Sequence, residues 1–271
     1  MNGLDKVQEE VEVHDIWDML TVDGIPYYGT GTKIAIIDSG IDWRHPSFYY
    51  PLNSYKLGIN NTFAYIDFNN DGLYNGNSEN LNFTHEELLF TNGTALSNLT
   101  MFDPGIDYIY NDINVNGIRD DGESFFIFDD KDSNKQISLN DEVLELNYIK
   151  IHKIWETRTN TLYERGVNLT NPLVNFHVDV DGHGTHIANI IAGGIPRFNK
   201  FTGIAPEADL LIVKARDDST GSYSESDVID GIDWAVKEGA HVISISLGFY
   251  DNKYRDGSDL LDAKVDWAQQ Q

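Results

Sequence analysis

The spacing of apolar positions changes twice along the chain. Lys33-Ile-Ala-Ile-Ile-Asp38 is a short, continuous apolar run that closes on an aspartate. Such a run predicts a strand buried on both faces, as in a parallel sheet. Residues 49–175 are rich in Asn, Asp, Gly and aromatic residues and show no sustained helical period, which predicts an irregular or β-rich region. From residue 176 an alternating rhythm appears. His186-Ile-Ala-Asn-Ile-Ile-Ala192 predicts a helix that ends at Gly193-Gly194, and Asp209-Leu-Leu-Ile-Val-Lys214 predicts a strand. A helix is expected from Glu225 to Glu238, with Ser224 as N-cap and Gly239 as its stop. His241–Ser246 then reads as a strand and Leu260–Gln270 as a helix. Strands that alternate with helices imply βαβ units and a parallel sheet. Catalytic groups in such sheets gather at the carboxyl ends of the strands. The expected organisation is α/β over 1–48 and 176–271, interrupted by an acidic insert over 49–175.

Charge sharpens the picture. The formal net charge of −25 argues against binding to nucleic acid or anionic membranes, since phosphates are held by Lys and Arg. Residues 60–145 hold 17 Asp plus Glu against 3 Lys plus Arg, so more than half of the excess sits in one third of the chain. This is either a solvated acidic face or a set of cation sites. The sequence contains no cysteine, which excludes disulfides, thiolate catalysis and Cys-ligated zinc. No apolar run approaches the roughly 20 residues of a membrane span, and no signal peptide is visible. Five Asn-x-Ser/Thr sequons, at Asn60, Asn82, Asn92, Asn98 and Asn168, fit an extracellular or cell-surface location.

The acidic stretch carries a metal-ligand pattern. Asp112, Asn114, Asn116, Gly117 and Glu123 match D-x-[DN]-x-[DN]-G-x5-E, the oxygen-ligand spacing of an EF-hand-type Ca²⁺ loop. Asp130, Asp132, Asn134 and Asp141 repeat it less well, with Lys135 in place of the glycine and an aspartate at the last position. Asp67, Asn69, Asp71 and Gly72 begin it, but Ser78 stands at position 12.

Two further residues suggest acid–base chemistry. Asp38 ends the first apolar strand, and His183 follows Gly182 at the opening of a helix. Taken singly, the first could be a turn former and the second a polar helix end. Together, a buried carboxylate aimed at an imidazole fixes its tautomer and makes it a general base for a serine hydroxyl. Zinc is disfavoured at His183 and His186, which lack an HExxH frame.

GTGTKIAIIDSGIDWRHPSF, GHGTHIANIIAG, GIAPEADLLIVKA and VIDGIDWAVKEGAHVISISLG appear in this order. They resemble the Asp segment, the His segment and the approach to the substrate-binding strand of subtilases, the subtilisin-like serine peptidases. The resemblance covers about residues 16–48 and 176–250. It implies a three-layer fold around a mainly parallel sheet, incomplete at the C-terminus, and hydrolysis of polypeptide substrates by an Asp-His-Ser triad. It assigns Asp38 and His183 to the acid and base. It assigns Gly221, Ser222 and Tyr223, together with Ser246, Leu247 and Gly248, to two edges that hold an extended peptide by β-augmentation. Asp179 and Asp181 would either bias the neighbouring subsite towards basic side chains or form a solvated loop. Asp42 matches a position that binds calcium in some members.

The 144 residues between Asp38 and His183 resemble the large insert of the pyrolysin-like branch. The family's nucleophile lies in a Gly-Thr-Ser motif, which this sequence does not contain. The expectation is therefore a chain with acid and base but no nucleophile, inactive by itself. The alternative is a non-catalytic module that binds calcium or a surface partner.

Overall fold

The computed structural model describes residues 12–59, 64–69, 71–74, 81–84, 94–95, 105–114, 116, 120, 123–131, 141–169, 179–249 and 257–271. The first elements are helix α1 (Val13–Trp17) and strand β1 (Lys33–Asp38). Strands β2 (Tyr49–Ile59), β3 (Ala64–Asp67), β4 (Leu81–Thr84), β5 (Thr94–Ala95), β6 (Tyr108–Asn111), β7 (Phe125–Asp129), β8 (Glu142–Ile149), β9 (Ile151–Glu156) and β10 (Thr161–Glu164) follow. Helix α2 (His183–Ala192) precedes β11 (Asp209–Lys214), β12 (Arg216–Asp217) and β13 (Ser222–Tyr223). The chain closes with α3 (Glu225–Lys237), β14 (Val242–Ile245) and α4 (Leu260–Ala268). These elements form two compact units: Met1–Phe48 with Lys150–Gly193 and Gly203–Gln271, and Tyr49–Ile149 with Gly194–Thr202.

The first unit is built on a five-stranded sheet in the order β10-β9-β11-β1-β14. Strands β9, β11, β1 and β14 run parallel, and β10 is antiparallel at the edge. Residues 34–38 of β1 and 210–214 of β11 are buried, as their continuous apolar runs predict. Ala35 and Ile37 share one face with Leu211 and Val213, and Val228, Ile232 and Ala235 of α3 cover that face. Burying each of these branched side chains contributes about 1.5–3 kcal/mol. Because Cβ directions alternate, Ile34, Ile36 and Asp38 point to the opposite side, where α2 contacts β1. The arrangement is the expected three-layer α/β fold.

The helix signals hold within a residue or two. Ser224 Oγ accepts from Asp227 N at 3.1 Å and caps α3, which stops before Gly239 in the left-handed region (φ 77°). The strand expected over His241–Ser246 is shorter, Val242–Ile245, and the last helix ends at Ala268 rather than Gln270.

The expected insert boundaries differ from the observed ones. Residues 151–164 are not part of the acidic unit: β9 pairs with β11 and joins the main sheet, bringing β10 with it. Residues 194–202 fold with the second unit instead. That unit is an antiparallel seven-stranded sheet in the order β3-β2-β8-β7-β6-β4-β5. Leu57, Ile66, Ile109, Phe126, Phe128 and Val143 form one core cluster. Tyr108, Ile127 and Leu146 form another, to which the 194–202 segment adds Ile195 and Phe198. Among the described residues no helix is long and apolar enough to cross a membrane.

Candidate active site

Asp38 is the last residue of β1 and is 1% exposed. Its Oδ1 accepts from Ser39 N at 2.7 Å and lies 2.7 Å from His183 Nδ1. Its Oδ2 is buried without a hydrogen-bond partner among the described residues. A proton on Nδ1 that faces this carboxylate leaves Nε2 as the basic nitrogen. His183 is the first residue of α2, and its side chain is 44% exposed. The imidazole pKa is raised above its usual 6.5, first by the hydrogen bond to Asp38 and then by the charges of Asp38, Asp181 and Asp179. Burial opposes the rise.

Helix α2 is placed by a second carboxylate. Asp179 Oδ1 accepts from Ser39 Oγ at 2.7 Å and from Gly182 N at 2.9 Å, and its Oδ2 accepts from Thr185 N at 2.8 Å and from the Thr185 hydroxyl. Ser39 Oγ in turn accepts from Gly184 N at 2.8 Å, and Thr185 Oγ1 accepts from Asp42 N at 2.8 Å. These bonds satisfy amides of the first helical turn that would otherwise lack partners. Burial would raise the Asp179 pKa, but the donors from Thr185, Ser39 and Gly182 outweigh it and hold the carboxyl below its usual 3.8. Asp179 is thus bound into the helix start. The helix approaches β1 so closely that a Cβ on Gly184 would lie 2.1 Å from Gly40 O, so only glycine fits there.

Around the exposed edge of His183, Asp181 Oδ1 lies 3.4 Å from Arg216 Nη2. Arg216 pairs in register with Tyr223 across β12 and β13. The Tyr223 pKa is pushed up to about 12, first by burial and then by the charges of Asp38 and Asp181, with Ser39 and Arg216 opposing. Tyr223 thus lies within electrostatic reach of Asp38 and Asp181. Ser222 lies beside it on β13, and Gly221 turns into that strand with φ 70°. Ser246, Leu247 and Gly248 follow the end of β14 without strand pairing. Leu247 packs against the same core cluster as Tyr223.

In the second unit, Asp112, Glu123, Asp67 and Asp141 are all buried. Asn116 N donates to both Asp112 Oδ1 (3.0 Å) and Asn114 Oδ1 (3.1 Å). The Asn114 and Asn116 amides both donate to Asp120 Oδ2, at 2.6 and 2.7 Å. Glu123 folds back to accept from Ile113 N at 2.8 Å and Asp120 N at 2.9 Å. In the weaker repeat, Lys131 N donates to Asp141 Oδ1 at 3.0 Å, the same link from position 2 to position 12. Asp130 opens that repeat, whereas Asp132 and Asn134 lie outside the described residues. At the third loop, Asp67 accepts from Asp71 N at 3.1 Å and Gly72 N at 2.8 Å, and Asn69 Oδ1 accepts from Asp71 N at 3.1 Å. Among the described residues no three His, Asp or Glu side chains form a metal-holding group.

A mainly parallel α/β sheet in which an interior strand, β1, ends on a buried aspartate that is hydrogen-bonded to a helix-borne histidine holds an acid–base pair suited to activating a hydroxyl. The chain belongs to the subtilase family, which matches residues 29–271. It is 45% identical over 75 residues to the major intracellular serine protease of Bacillus subtilis, covering 26% of this chain and 22% of that protein. It is 40% identical over 103 residues to a thermostable alkaline protease of Halalkalibacterium halodurans, covering 38% of this chain and 26% of that one. The chain thus spans about a quarter of the length of these relatives. The CspB protease of Clostridium perfringens shares the fold, with a TM-score of 0.51 and 15% identity over 96% of this chain and 36% of that structure.

Proposed function

We propose that the protein containing this chain is a subtilisin-like serine endopeptidase, of which this chain supplies the acid and the base. The observation that carries the reading is the 2.7 Å contact between His183 Nδ1 and Asp38 Oδ1 at the carboxyl edge of the main sheet. His183 Nε2 takes the proton from a serine hydroxyl as it attacks the scissile carbonyl, then returns it to the leaving amine. Asp38 stays ionised, holds the tautomer and stabilises the imidazolium. An extended polypeptide substrate lies between Gly221–Tyr223 and Ser246–Gly248. The long separation of acid and base supports the pyrolysin-like branch, and the sequons support a secreted or cell-surface enzyme. The test is labelling of the native protein by a serine-directed phosphonate. Attachment that is abolished by His183→Ala supports the reading. No attachment to a folded native product supports the alternative, a non-catalytic module that binds calcium or a surface partner.

For the acidic unit we propose structural Ca²⁺. The donor set fits: the oxygens of Asp112 and Asn114 converge on one amide, the Asn114 and Asn116 side chains converge on Asp120, and Glu123 closes the loop. Asp130, Asp132, Asn134 and Asp141 would form a second loop, and Asp67, Asn69 and Asp71 a third. Hard oxygen ligands at this spacing suit Ca²⁺ over softer metals. Calorimetry of the folded protein with millimolar Ca²⁺ tests it.

A further inference from the structure

Helix α2 carries the base at its first position, and its far end is closed by an unexpected donor. Asn189 O accepts from Gly193 N at 2.9 Å, Ile190 O from Ile204 N at 3.1 Å, and Ile191 O from Ala205 N at 2.8 Å. Just past the helix, Gly193 O accepts from Gly203 N at 2.8 Å. Ala192 O is met by a side chain instead: Lys150 Nζ donates to it at 2.7 Å.

Lys150 is 1% exposed. Its main chain is tied on both sides, its N–H to Phe48 O at 2.8 Å and its carbonyl to Leu210 N, at the start of β11, at 3.0 Å. The residue therefore acts as a strut between the main sheet and the last carbonyl of α2. A cation suits this place, because the C-terminal end of a helix carries partial negative charge. Burying an ammonium is nonetheless costly, and an apolar side chain of similar volume often stabilises as well or better. Burial pushes the Lys150 amine well below its usual range, and Glu207 is the charged group that opposes this. What the amine supplies that a methyl group cannot is the directional bond to the Ala192 carbonyl.

We infer that Lys150 is a positioning residue for His183. Its amine locks the C-terminal end of α2 to the sheet, while Asp179 and Ser39 lock the N-terminal end. A ten-residue helix is about 15 Å of stiff rod, so loss of one of the bonds that hold its C-terminal end shifts the other end. The imidazole must hold a 2.7 Å contact, and small displacements there cost rate steeply. The inference rests on the reading of His183 as the base, although its primary readout does not require turnover.

The experiment is the NMR titration of the His183 ring in the native protein, comparing wild type with Lys150→Met. The charged groups that face His183 are Asp38, Asp181 and Asp179, and none of them is altered. The titration midpoint is expected to fall back towards 6.5. In the active enzyme, kcat is expected to drop about 10-fold with KM changed less than about 2-fold. This chain has no cysteine of its own, so Lys150→Cys followed by aminoethylation of the unfolded protein, with any cysteine elsewhere in the native protein replaced by serine, rebuilds the amine at this site. If Lys150→Met does not fold, this variant decides. Return of the wild-type midpoint on refolding supports the inference, and failure to recover it overturns it. A folded Lys150→Met protein with an unchanged midpoint also overturns it. Absence of phosphonate labelling with a midpoint that still responds to Lys150 rejects the peptidase reading alone.

Discussion

Asp38 and Asp112 are each 1% exposed, but they are kept in different company. Asp38 shares one oxygen between a backbone amide and an imidazole that can carry the balancing charge. In the loop of Asp112, the amides of Ile113, Asn116 and Asp120 and the side-chain amides of Asn114 and Asn116 donate to carboxylates. The first unit sets its buried Asp38 against the titratable imidazole of His183, whose pKa is raised above its usual 6.5. The second gathers buried carboxylates, Asp112 and Glu123 among them, and on the proposal above it takes its balancing charge from Ca²⁺. One site should answer to pH and the other to calcium, each independently of its neighbour.

The largest effect tests that independence. Asp38→Asn leaves the geometry in place but removes the charge that selects the tautomer, and is expected to lower kcat/KM of the native enzyme by about 10⁴-fold. The calcium dependence of melting should not change. A loss below about 10-fold would show that Asp38 does not serve the base.

Calcium sharpens the other side. At 100 times its Kd, a cation that binds only the folded state adds about 2.7 kcal/mol, which chelation should remove as a drop in melting temperature. Glu123→Gln should abolish most of this calcium response and leave the His183 titration as it was. Melting that is indifferent to chelator and to millimolar calcium contradicts the proposal.

A smaller effect is expected from Asp179→Asn, which weakens the helix start by about 1 kcal/mol in denaturant melts. The Asp179 pKa in the folded state lies below the 3.8 of the free side chain. Its contribution to stability is therefore complete above pH 3.8 and is lost as pH falls through the lowered value. The Asn variant should lack this acid limb. The same acid limb in both proteins would show that Asp179 is not the group responsible.

Much of the first unit was legible because its signals are local. The apolar runs at 33–38 and 209–214 are buried strands in register, and Ser224 caps the helix it precedes. Asp38 and His183 could be singled out because each sits at an element boundary. What escaped depends on distant partners. Ile151–Glu156 has only Ile151 and Ile154 buried, a pattern that shows neither a continuous apolar run nor strict alternation, and its pairing with β11 links segments over 50 positions apart. Asp179 was missed as a cap because the N-cap position holds Gly182, and the carboxylate reaches in from three residues earlier. Lys150 gave no signal, because an isolated lysine between two strands reads as surface.

The most direct test of the acid–base assignment is the titration of His183 in wild type and Asp38→Asn. The wild-type midpoint is expected above 6.5, since the hydrogen bond to Asp38 favours the imidazolium. The stabilisation from that bond is present below pH 6.5 and is lost as pH rises through the raised midpoint, where the neutral base appears. In Asp38→Asn the midpoint should fall. A wild-type midpoint at or below 6.5 that does not respond to the loss of Asp38 would contradict the account.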